Sequence, residues 1–177
     1  MLFFVFLMLG IFVIVAQTTF LQLFPDWLGR PDFLYILISF AAYRFGWISG
    51  MVFVFTLGWM LDVVSGIHPG IYPLQSILVF SFLKLLTENS PLREGAYQVP
   101  LVGISYFIVQ MGFYFFYSLM MPETLPEWSW NRIIQDTFIL LLATIPLFVL
   151  LNSLYEILNK NGIIHRVISK RSGNQFR

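Results

Sequence analysis

Gly46–Gly70, GWISGMVFVFTLGWMLDVVSGIHPG, decides how the rest of the chain is read. From Trp47 to about Val64 it is apolar for long enough to cross a bilayer core, and it ends in a glycine-rich loop. Asp62 is the acidic residue set at the end of that run, and Gly46, Gly50, Gly58 and Gly66 place small residues at four-residue spacings around it. A carboxylate inside a span costs about 2.5–3.5 kcal/mol at mid-helix on insertion scales, so such a group has a task. One reading is a proton or ion site. The other is structural: the side chain accepts hydrogen bonds from the amides of Ser65–Gly70 or from the start of the next helix, whose dipole favours an anion. A proton relay would want a second embedded acid in a neighbouring span, and none is present, so the structural reading is the stronger.

The glycines permit close helix approach in lipid, where packing and not hydrophobicity drives association. On an ideal helix Gly50 and Gly58 lie about 80° apart, which makes a broad small-residue face and not one seam. Gly66 and Gly70 bracket Ile67-His68-Pro69 and are expected to supply unusual φ values for a tight loop. His68 is a lone loop histidine, better read as a polar rim residue than as a metal ligand.

Composition agrees with a membrane protein. The 177 residues are 58% apolar, 19% aromatic and only 11% charged, where a soluble domain carries about a quarter charged residues. Mean hydropathy is +0.80. The chain has no cysteine and two histidines, which excludes thiol chemistry and makes a histidine metal cage an unpromising reading.

Outward from the opening stretch, five more spans are expected. Met1 to about Phe24 is the first, roughly 23 residues or about 35 Å as a helix. A cleaved leader would need a basic segment ahead of the run, so a retained span is expected. Pro25–Asp32 (PDWLGRPD) is a loop with breakers. Phe33–Ala42, closed by Tyr43 and Arg44, is a short second span, either tilted little or partly covered by protein. Pro31-Asp32 opens it, with Asp32 placed to cap the helix or complement its dipole. Spans four, five and six are read at about Ile71–Leu86, Gln98–Met121 and Ile133–Leu158, with Pro73 in a first turn and Pro146 as a kink. Asp136 is read as a second dipole-stabilised acid at the start of span six. The aromatic run Phe113–Tyr117 covers every side of its helix and is read as bulk facing lipid or a partner. Asn159–Arg177 is a basic tail, able to meet anionic lipid.

With the tail in the cytoplasm, eight of the ten Lys and Arg residues fall inside and only Arg30 and Arg132 outside. Six spans with both termini cytoplasmic are therefore expected. The fold class is all-α, a single polytopic membrane bundle of six transmembrane helices over residues 1–177 with a short basic tail. The sequence carries none of the GxSxG, HExxH or Walker patterns, and no enzyme activity, cofactor, metal or nucleic-acid partner is expected. Trp27, Trp128 and Trp130 are candidate partner contacts at headgroup depth.

Arg30-Pro31-Asp32 opening a hydrophobic helix, a small-residue span, and then Gly58, Asp62, Gly66 and Gly70 in a GxxxDxxxGxxxG spacing resemble the rod shape-determining protein MreD family. The site residues this singles out are Pro31, Asp32, Gly50, Gly58, Asp62, Gly66 and Gly70. The resemblance implies a non-enzymatic inner-membrane subunit of the bacterial cell-wall elongation machinery. Such a subunit associates with the bitopic protein MreC, and through it with the RodA–PBP2 peptidoglycan synthase and the MreB system. It also implies a fold similar to the six-helix substrate-binding components of energy-coupling-factor vitamin transporters. A transporter component with a polar pocket near Asp62, His68 and Gln110 is the alternative. A proton-linked channel using Asp62 is a third and weaker option.

Overall fold

The computed structural model describes residues 2–20, 32–66, 70–88, 95–120 and 129–173. Among them are six helices and no strand: α1 (Leu2–Phe20), α2 (Phe33–Arg44), α3 (Trp47–Ser65), α4 (Ile71–Glu88), α5 (Gly95–Met120) and α6 (Trp130–Gly173). Five are long and apolar enough to cross a membrane. Large apolar side chains stand exposed on their outer faces, among them Ile48 at 83% and Phe12 and Val63 at 72%. Apolar surface of that extent is tolerated in lipid and not in water, as expected of a membrane protein.

α2 is the exception. Its 12 residues make a helix of about 18 Å, short of the ~30 Å hydrocarbon core. The second expected span is therefore a shorter helix, and the reason is its place. Every residue from Leu34 to Tyr43 is buried, and α2 packs against all five other helices. A helix apolar on all sides must be covered on all sides. Here the covering is protein, so α2 has no lipid thickness to match.

The core forms around it. Phe40 stacks on Phe6 of α1 (centroids 5.6 Å apart) and meets Phe148 and Tyr155 of α6 edge-on. The Tyr35 hydroxyl shares a buried 2.8 Å hydrogen bond with Ser105 of α5. Ser39 returns its hydroxyl to the carbonyl of Tyr35 at 2.8 Å, which hides a polar group while leaving a small side chain at the interface.

Successive helices alternate in direction. The close pairs Phe3–Phe53 and Gly10–Leu57 run α1 parallel to α3, and Gly50–Phe80 with Gly58–Pro73 run α3 antiparallel to α4. The bundle thus has an Asp62 end, where α2, α4 and α6 begin, and an Arg44 end, where they finish. α5 starts at Gly95, a turn earlier than read, so Pro100 lies inside it. α6 runs without interruption through Pro146 to Gly173.

Candidate functional site

The tightest seam is α3 on α4, and it is built by the glycines. A Cβ on Gly58 would lie 2.7 Å from the Pro73 Cα and 2.8 Å from the Ser76 hydroxyl. One on Gly50 would enter the ring of Phe80, itself fully buried. Backbone can approach backbone only because these side chains are absent. Pro73, in the first turn of α4, needs no hydrogen-bond acceptor there and can press its ring into the seam.

About two turns beyond Gly58, the chain must reverse. Gly66 ends α3 in the left-handed conformation (φ +62°) and donates its N–H to the Asp62 carbonyl at 3.0 Å. Gly70 sits at φ +98° just before α4. These positive φ values select glycine at both positions. The Asp62 side chain, 9% exposed, closes the corner: its Oδ2 accepts the Gly70 N–H. Its Oδ1 is buried with no hydrogen-bond partner among the described residues. The carboxylate thus ties the end of α3 to the start of α4, with one oxygen left over.

Asp32 belongs to a separate cluster. It is the N-cap of α2, accepting the Tyr35 N–H at 3.1 Å. Gln17 of α1 donates to the same oxygen at 3.2 Å and accepts the Leu34 N–H at 3.2 Å. One amide therefore satisfies two groups at the helix start and pins α1 to α2.

Gly58, Asp62, Gly66 and Gly70 come together, whereas Gly50 lies further along the seam. Trp130 opens α6 and is half exposed. Pro31, Trp27, Trp128 and His68 lie outside the described residues. The dipole reading of Asp136 is corrected. α6 begins at Trp130, where the Ser129 carbonyl accepts the Arg132 and Ile133 amides, and no acid falls in its first turn. The favourable field fades within that turn, so Asp136 stands too far in to use it. In the aromatic run, Phe115 is 66% exposed while Phe113 and Tyr114 are half-buried.

Beside the corner a groove runs between α4 and α5, about 450 Å³, with Gly70, Leu74 and Leu78 on one wall and Val109, Gly112 and Phe113 on the other. A Cβ on Gly112 would meet nothing within 4 Å. Neither Asp62 nor Gln110 forms its wall. Among the described residues no three of His, Cys, Asp and Glu gather as metal ligands.

At the opposite end the structure joins residues that sequence reasoning did not connect. The Arg44 guanidinium donates to the Asn152 Oδ1 and lies over the Tyr155 ring, 5.4 Å from its centroid. The sequence signal was Asn152 and Tyr155, three residues apart and so on one face of α6. Set against protein-family models, curated proteins and solved structures, the chain matches none.

Proposed function

We propose that this chain is a non-enzymatic scaffold of the bacterial inner membrane, of the MreD type, with both termini cytoplasmic. It receives the single transmembrane helix of a bitopic partner, MreC, and through it supports the RodA–PBP2 synthase and the MreB system. The observation that carries the reading is the groove between α4 and α5. It is lined almost wholly by apolar side chains, with Gly70 on one wall and Gly112 on the other. Small residues and bare backbone are what another helix packs on in lipid. A vitamin or other polar small molecule would want convergent hydrogen-bonding groups, which this wall lacks. The expected topology puts the Arg44 end in the cytoplasm and the groove in the outer half of the membrane, where a partner's juxtamembrane segment can reach the loop tryptophans. The likeness to energy-coupling-factor components belongs to this same reading, as a shared helix arrangement turned to a different use.

Mild detergent extraction followed by affinity capture tests it. A bitopic protein and synthase subunits are expected to follow the chain, and Gly112→Trp or Leu78→Trp is expected to release them while the variant stays monodisperse. If no such partner follows the unaltered chain, the scaffold reading fails. Binding of a small molecule in its place would revive the transporter reading.

A further inference from the structure

At the Arg44 end a second crevice, about 430 Å³, opens between α2, α5 and α6. That size is within the usual range of small-ligand clefts, about 300–1,000 Å³. Its character differs from that of the α4–α5 groove. Phe40, Ile145 and Phe148 make an apolar wall, and Tyr43, Arg44, Gln98 and Asn152 make a polar one. Tyr43 is only 5% exposed, yet its hydroxyl has no hydrogen-bond partner among the described residues. A buried phenol is ordinarily paired, and leaving it bare costs about 1–3 kcal/mol. Arg44 beside it is exposed, and its partners are a neutral amide and a ring face. A guanidinium has five N–H groups in a fixed fork, so donors remain for an anion.

The depth fits an amphiphile. Arg44 stands three residues before Trp47, where the apolar stretch of α3 begins, and Gln98 of the crevice directly follows Tyr97, where that of α5 begins. The polar wall therefore lies near the boundary between acyl chains and headgroups, where a long basic side chain reaches the interface. Glu156 stands beyond Asn152, 3.5 Å from its Nδ2. It is exposed.

We propose that this crevice binds one anionic phospholipid from the leaflet at the Arg44 end. Its phosphate takes hydrogen bonds from Arg44 and the Tyr43 hydroxyl, and one acyl chain lies against Phe40, Ile145 and Phe148. The proposal stands apart from the scaffold reading, since it uses neither the α4–α5 groove nor any protein partner.

Native mass spectrometry of the full chain in mild detergent tests it, with phosphatidylglycerol and phosphatidylcholine of identical chains titrated in parallel. Phosphatidylglycerol is expected to bind about tenfold more tightly, because the choline cation of phosphatidylcholine opposes the Arg44 guanidinium and offsets the attraction of its phosphate. Tyr43→Phe is expected to lower phosphatidylglycerol affinity by about fivefold, in line with one lost hydrogen bond to the phosphate, and not to lower lipid-free thermal stability, since the hydroxyl has no partner to lose among the described residues. Arg44→Gln is expected to abolish the preference. Because Arg44 also holds Asn152, the Tyr43 variant decides the matter if Arg44→Gln does not fold. Equal binding of the two lipids, or an unchanged phosphatidylglycerol affinity in Tyr43→Phe, overturns the proposal. Glycerol 3-phosphate binding as tightly as the lipid also overturns it, by showing that a soluble phosphate is the ligand.

Discussion

α2 and α3 follow one another with only Phe45 and Gly46 between them, and they meet opposite demands. α3 has 19 residues and buries a single stripe: Gly50, Phe53, Val54, Leu57, Gly58 and Asp62. That spacing is one face of a 3.6-residue helix, and the opposite face carries Ile48 and Val63 outward. α2 has 12 residues and buries ten in succession. A helix that meets lipid must match its thickness but needs to fit protein on one face only. An enclosed helix is released from the length requirement and must instead fit on every side. Both are equally apolar to the eye, because lipid and protein interior are alike in polarity.

The contrast can be broken at its strongest point first. Phe40→Ala removes a ring packed against α1 and α6 and is expected to cost about 3–5 kcal/mol, as large core truncations do. Denaturant titration in micelles would register this as loss of the folded form. Next comes the seam of α3. Gly58→Leu drives a side chain into the backbone of Pro73, an overpacking of about 1–3 kcal/mol, and the yield of monodisperse protein on size exclusion should fall accordingly. At the corner, Asp62→Ala strands the Gly70 amide, at about 1–3 kcal/mol, and Gly66→Val strains a left-handed residue by about 1–2 kcal/mol. Both are expected to lower folded yield before they alter partner capture. Asp62→Asn keeps an acceptor and should retain function, whereas loss of function in a fully folded Asp62→Asn protein would restore the proton-site reading. The smallest effect is at Tyr35→Phe, which removes the bond to Ser105 and should lower the melting midpoint only slightly, since interhelical bonds in membranes average about 0.6 kcal/mol.

What the sequence made legible was local. Asp62, Gly66 and Gly70 lie within nine residues of one another, and their chemistry (a carboxylate, a helix stop and a turn glycine) points to a tied corner. Asp32 ahead of an apolar run reads as a cap because the cap acts on an amide three residues on. The role of α2 was less open to view. Hydropathy does not separate a lipid-facing residue from a core one, and only the shortness of the run and the small residues Ser39, Ala41 and Ala42 hinted at enclosure. The Arg44–Asn152 bond joins positions 108 residues apart, so no spacing rule bears on it. Asp136 was misread because a helix boundary moved by three residues carries an acid out of the first turn.

Tryptophan scanning through positions 33–65, with folded yield read by fluorescence-detected size exclusion, tests the enclosure of α2 most directly. Substitution should fail at each position from Leu34 to Tyr43. In α3 it should succeed at Ile48, Val52, Phe55 and Val63 and fail at Gly50, Val54, Leu57 and Gly58. A tolerant stripe recurring every three to four residues along α2 would contradict the account, because it would mean that α2, too, turns a face to lipid.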